Sequence, residues 1–423
     1  MALQGSGQMK MSDIYDEFTG THNGSQEIQM SDYRDKGDVP AGSGTEIQLA
    51  TDMYGASNIS YTSATGGTIT TYTSSGVNYK VHSFTSSGTF AVSSVGSDAT
   101  INCLVVAGGG GAASSYDRNG GGGGAGGMEY YDNTVTSDST TVGGVPYWYN
   151  GTKSFGRGQS KTITAQNYTI YVGSGGSGGG STSTRKAGNG GTGSYIRLAD
   201  GSTYMVICRG GGGGHGDNYT GSDGGSFGGR GGQAGSSNAT AGDGGSGGGG
   251  YHGSWSGSPR GAAHYYNNSL NENNTGDGSN NRFPHNTFTS TTSIEDGRAG
   301  NGGGTGVNST GMSFAGGGGG GAGSGGTGGG YRSNGAGRGG AARSNTIRTG
   351  SAVYYATGGA SGAGYVISGA SVQGANRPSG EYVAADYEDH VFTGNANTGD
   401  AGDNNGTGYA GGSGIVVIRY VVE

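Results

Sequence analysis

Apolar positions in this chain come in short runs, and no stretch repeats them with a helical period. "NYKVHSF" (78–84), "GTFAVSS" (88–94), "TINCLVVAG" (100–108) and "KTITAQNYTIYVG" (161–173) read as β-strands. So do "SAVYYAT" (351–357), "GYVISG" (364–369) and the C-terminal "SGIVVIRYVVE" (413–423). Within "SYIRLADGSTYMVICRG" (194–210), the "ADGS" between two alternating runs marks a hairpin. The body is therefore expected to be all-β. Several strands run straight into glycine, as in "CLVVAGGGG" and "YMVICRGGGGG". Glycine loses more backbone freedom on folding than any other residue, so these junctions need a reason.

Composition sharpens the problem. Of 423 residues 105 are Gly and only 30% are hydrophobic, too few for a conventional core of this size. Charged residues make up 12%, so half of the disorder signature, high charge, is missing. With 5 Pro and no strict G-X-Y register, collagen is excluded. The glycine tracts fall at about 108–127, 173–193, 209–253, 299–340 and 399–414. Extended left-handed helices with three residues per turn point their N–H and C=O groups outward and can pack where no side chain intervenes. The expected fold is a set of β-sandwich-like strands with interspersed tracts packed as polyglycine II helices.

The first 57 residues follow another pattern. "GQMKMSDIYDEF", "SQEIQMSDYRDK" and "GTEIQLATDMYG" align at a spacing of 19 residues, led by Met9, Ile28 and Ile47. Each carries an alternating apolar pair (Met9/Met11, Ile28/Met30, Ile47/Leu49), then Ser/Thr-Asp, then an aromatic. Units this small bury their apolar faces only against a neighbour or a partner. Residues 1–57 are read as an attachment module, a free-standing minidomain being the alternative, and 58–423 as the glycine-rich β domain.

Three excursions between the tracts are polar, Asn- and Tyr-rich, and hold both Trp residues: 128–158, 251–288 and 374–392. Their aromatics, Tyr147, Trp148, Tyr149, Trp255, Tyr265, Tyr266, Tyr382 and Tyr387, are the candidate recognition residues, because such rings give large contact area at small entropic cost. They serve equally well as covers for the ends of the glycine body or a subunit interface.

The remaining chemistry narrows the function. A net charge of −7 gives no basic footprint for nucleic acid. Arg209, Arg230 and Arg338 precede Gly-Gly but stand isolated. The seven His residues lack metal-ligand spacing, and Cys103 and Cys208 read as two buried thiols of a reducing compartment. Asp400, Asp403 and Asn405 have the composition of a calcium loop but not its register, and a solvated turn is the plainer reading. Glu381, Asp386, Glu388 and Asp389 gather acids on one excursion without specifying a catalytic pair. The chain is read as non-enzymatic, without cofactor or metal.

A resemblance follows from particular residues. "YKVHSFTSSGTFAVSS", "INCLVVAGGGG", the tracts with inserts and "GGSGIVVIRY" together look like the glycine-rich domain of bacteriophage tail-fibre and receptor-binding proteins, over about residues 78–420. "GQMKMSDIYDEF" is similar to an element at the start of many tail-fibre or baseplate-associated proteins. The resemblance implies a virion structural protein, assembled in the host cytoplasm, that joins the tail or baseplate through Met9, Met11, Ile28, Met30, Ile47 and Leu49. It implies that the inserts meet a host-surface receptor, a glycan or outer-membrane protein, and that the chain is a homo-oligomer, a trimer by preference. The alternatives are a capsid or tail decoration protein with a purely structural role, and a polysaccharide-degrading tailspike.

Overall fold

The computed structural model describes residues 60–114, 120–132, 157–181 but for 159, 183, 186–216, 219–232 but for 226 and 230, 244–250, 303, 318–323, 326, 337–361, 372–373, 384–385, 393–404 and 407–422. No helix occurs among them. The architecture is all-β. One antiparallel sheet runs β1 (Ser63–Thr65), β4 (Gly88–Ser94), β9 (Asn167–Tyr171), β10 (Ser194–Arg197) and β11 (Tyr204–Cys208). The other runs β2 (Thr68–Ser74), β3 (Val77–Phe84), β16 (Ile415–Val421), β5 (Thr100–Val106), β6 (Met128–Tyr131) and β7 (Arg157–Gly158), and β8 (Lys161–Thr162) pairs with the start of β5. Two hairpins stand apart, β12 (Arg343–Asn345) with β13 (Val353–Tyr355), and β14 (Val372–Gln373) with β15 (Ala384–Ala385).

The apolar runs of β5 and β16 are continuous because both faces of their sheet are covered. On one face Ile101, Cys103, Val105, Val416, Ile418 and Tyr420 meet Phe90, Tyr168, Ile170, Ile196 and Val206 of the five-stranded sheet, the core of a sandwich. On the other, Leu104, Val106, Ile415 and Val417 pack against Ile347 and Tyr355 from the β12–β13 hairpin region. Each such aliphatic side chain contributes roughly 1.5–3 kcal/mol by leaving water. Arg419 alternates into that second face. Its Nη1 donates to Tyr72 Oη at 2.6 Å and its guanidinium lies 4.4 Å from the Tyr79 ring centre, so it is buried without a carboxylate partner among the described residues. The 128–158 excursion is shorter than its composition suggests. Residues 128–131 form β6, whose Met128 and Tyr131 are core residues; the Glu-Tyr-Tyr composition concealed a strand that turns alternate side chains inward.

The described parts of the tracts bond to one another, and the 107–114 segment shows how. The amides of Ala107, Gly110 and Ala113 donate to the carbonyls of Gly127, Gly124 and Gly121. Those of Gly108, Gly111 and Ser114 donate to Thr192, Asn189 and Lys186, and those of Gly109 and Ala112 to Gly412 and Tyr409, all at 2.8–3.0 Å. In return Gly108 and Gly111 accept from Gly211 and Gly214, Gly109 and Ala112 from Gly176 and Gly179, and Gly110 from Gly402. Every third residue thus addresses the same neighbour, the three-residue period of polyglycine II rather than the two-residue period of a strand. No residue of this segment has a positive φ. It is enclosed by six others, 120–127, 173–180, 186–193, 210–216, 399–404 and 409–412.

Close approach explains the glycines here. A Cβ on Gly109 would collide with the Asp400 carbonyl, one on Gly110 with Gly212, and one on Gly123 with Gly110, each closer than real Cβ contacts come. The lattice satisfies buried backbone groups with other backbone, and hydrogen bonds take the place of side-chain packing. Where it runs out, serine hydroxyls complete it. Ser194 Oγ accepts from Gly173 and donates to the Val106 carbonyl at one end. Ser114 Oγ accepts from Lys186 N and donates to the Gly179 carbonyl at the other.

Candidate functional site

The lattice has a direction. At one end its segments continue directly into strands, at Val106–Ala107, Gly127–Met128, Gly193–Ser194, Cys208–Arg209 and Gly414–Ile415. Cross-bonds Ser114–Lys186, Ala113–Gly121, Gly121–His215, His215–Gly249 and Gly180–Gly408 define the opposite end. From this far end the chain passes into the 251–288 excursion after Gly250 and toward the 374–392 excursion after Ser361. The start of the described chain lies at the other pole. The Ser60 carbonyl accepts from Ser97 N, and Ser63 is opposite Ser94, whereas Gly88 at the other end of that same strand is opposite Ile170, next to the lattice. The sandwich therefore lies between the start of the described chain at Ser60 and the far-end residues Gly250 and Ser361.

The 128–158 excursion, which carries Tyr147, Trp148 and Tyr149, leaves β6 at the sandwich pole instead, since Met128 pairs with Val106 and Tyr131 with Cys103. Tyr147, Trp148, Tyr149, Trp255, Tyr265, Tyr266, Tyr382 and Tyr387 lie outside the described residues, as do Met9, Met11, Ile28, Met30, Ile47 and Leu49. Lys186 and Tyr219 mark the far end itself, with the Lys186 Nζ 5.8 Å from the ring centre of Tyr219, which is 58% exposed.

Asp400 and Asp403 are placed and differ from expectation. Neither is in a solvated turn, for both are buried in the lattice. Asp400 Oδ1 accepts from Thr357 N at 3.0 Å and its Oδ2 from Asn395 Nδ2 at 3.0 Å. Asp403 Oδ1 accepts from Ala360 N at 2.7 Å. Residues 357 and 360 return the favour by accepting from the amides of Ala401 and Asn404. Two carboxylates three residues apart thus match two amides three residues apart, a side-chain continuation of the lattice's own repeat. Asn405 lies outside the described residues. Among the described residues no cluster of three His, Cys, Asp or Glu is arranged to hold a metal ion.

One titratable cluster was not singled out in the sequence. Glu129 and Tyr131 of β6 point into the sandwich, opposite Val105 and Cys103. Burial pushes the Glu129 carboxyl up to about 7, against the pull of a 2.8 Å hydrogen bond from Tyr131 Oη and of the nearby Lys161 ammonium. Lys161 Nζ sits 3.9 Å from the centre of the Tyr131 ring. Burial also drives the Cys103 thiol up to about 12 and the Cys208 thiol well above its usual range. Both stay protonated at neutral pH and are poor nucleophiles, as expected for the buried pair. The arrangement can store one proton near neutrality. The signal was a lone Glu in alternation with Tyr directly after a glycine tract.

No family model matches the chain, and no curated protein or solved structure was found to be similar to it. Functional inference rests on the residues and the geometry above.

Proposed function

We propose that the protein is a bacteriophage virion protein of the tail-fibre or adhesin type, joined to the particle through residues 1–57 and presenting excursions on a glycine lattice to the host surface. What supports the reading is the polarity of the fold: the chain comes in at the sandwich pole, and two aromatic-bearing excursions leave from the opposite end of a lattice braced in six directions. A rigid platform reduces the ordering cost of contacts made at its tip. The glycine-rich motifs noted in the sequence point the same way.

The test is adsorption. Purified full-length protein should bind host envelopes and compete with the phage that encodes it, and Trp255→Ala should weaken both while leaving the melting temperature unchanged. Antibody to the protein should label the distal tail. Labelling of the capsid, with no competition at saturating protein, would replace this reading with that of a decoration protein.

A further inference from the structure

The outward face of the five-stranded sheet gathers aromatic rings around an arginine. Strand register places Tyr171 of β9 beside Tyr195 of β10, with ring centres 5.0 Å apart and planes 9° from parallel. The next row across the sheet holds Thr89, Thr169, Arg197 and Tyr204. Tyr204 meets Tyr195 edge-on at 5.1 Å. Phe227, from a glycine segment, closes over both rings at 5.8 and 5.2 Å. Its φ of +52° is a left-handed conformation that a Phe adopts only under constraint, and the Gly228–Gly225 hydrogen bond of 2.7 Å tightens the same turn.

Arg197 is the unusual member. Its guanidinium lies 5.7 and 5.9 Å from the ring centres of Tyr195 and Tyr204. It has no carboxylate or other hydrogen-bond partner among the described residues, and its Nε is buried without one. A guanidinium has five donors in a fork suited to a carboxylate. In a chain of net charge −7, this cation is left unneutralised on a partly exposed aromatic face.

We propose that this face binds an acidic saccharide. The apolar face of a pyranose rests against Tyr204 and Phe227, its carboxylate takes the free donors of Arg197, and the hydroxyls of Thr169 and Thr89 meet the sugar's own. Among the described residues Arg197 is the cation set against these rings, and nucleic acid needs a run of basic side chains along its phosphates. The inference does not depend on the excursions. It assigns a ligand class to the side of the sandwich, remote from the lattice tip.

Calorimetric titration of the full-length protein with trigalacturonate and with sialyllactose, beside trigalacturonate methyl ester and lactose as neutral counterparts, tests it. At least one acid should bind with Kd on the order of 1 mM or tighter, and its neutral counterpart about tenfold or more weaker. Raising the salt from about 50 to about 500 mM should weaken the acid several-fold in the unmodified protein. Arg197→Gln should lose about tenfold or more with the melting temperature retained, and Tyr204→Ala should show the same loss through the stacking partner. Binding by neither acid, equal binding by the neutral sugars, or an unchanged affinity in Arg197→Gln overturns the proposal. Such a failure leaves the adsorption reading intact, because these substitutions remove nothing at the lattice tip.

Discussion

The imidazole of His82 stacks on the phenol ring of Tyr420, with ring centres 5.6 Å apart, and its Nε2 lies 3.1 Å from the Tyr420 hydroxyl. Its Nδ1 is 2.7 Å from the Gly66 carbonyl, which can only accept, so Nδ1 carries the proton and Nε2 accepts from Tyr420. Burial holds the ring neutral by lowering its pKa. Tyr420→Phe keeps the stack and strands a buried acceptor. It should cost about 1–2 kcal/mol in chemical denaturation, and nitrogen shifts should show the Nδ1–H tautomer in the parent protein.

Glycines within the lattice should differ sharply in their tolerance. A Cβ on Gly123 would collide with the Gly110 carbonyl, whereas one on Gly225 meets the Thr192 side chain at an ordinary 3.5 Å or more. Gly123→Ala should destabilise by about 2–4 kcal/mol, at or beyond the upper end of overpacking costs. Gly225→Ala should stay within about 0.5 kcal/mol of the parent. Equal melting temperatures for the two variants would contradict the close-packed lattice.

Asp403 acts as an acceptor for a backbone amide. Asp403→Ala leaves the buried Ala360 amide short of its acceptor and should cost about 1–3 kcal/mol. Asp403→Asn, which keeps an oxygen in reach, should lose less. A chelator should leave the melting temperature of the parent unchanged; a fall of several degrees would return Asp400 and Asp403 to the role of cation ligands.

Two groups shifted by their surroundings should oppose each other in the pH dependence of stability. Glu129 is raised from 4.5 to about 7, so between those values the unfolded chain has released a proton that the fold keeps, and stability falls as pH rises. His215 is lowered by burial from 6.5 to about 4, so stability falls as pH drops through that window. Glu129→Gln removes the first effect. Relative to the parent, the variant should gain on the order of 1–3 kcal/mol between pH 4.5 and 7. A constant difference across that range would show that Glu129 does not titrate there.

Much of the fold could be read from the sequence where one signal sufficed. The runs of β5 and β16 are continuous because both faces are buried, and the number and length of the glycine tracts pointed to packed extended segments of the kind that 107–114 and its described neighbours form. β2, by contrast, is a Thr-rich strand at the sheet edge with mostly exposed side chains, so it gave no apolar alternation to read. Asp400 and Asp403 resembled a turn because their burial comes from segments far away in sequence. Tyr171, Tyr195, Arg197 and Tyr204 gave no local sign of belonging together, since only strand register makes them neighbours. Phe227, a single aromatic inside "GGSFGGR", was the one visible hint.

The six-sided enclosure of residues 107–114 has a consequence for how the chain is made. Two of the segments that hold them, 399–404 and 409–412, lie almost 300 residues downstream, and the strand that closes the larger sheet, β16, follows both. A ribosome delivers those partners long after the segment they hold. Until it does, the central segment lacks acceptors for Gly109 and Ala112, and β5 lacks its neighbour on one side. Closure over such long separations is slow. The lattice around 107–114 must therefore stay open until almost 300 further residues have been made.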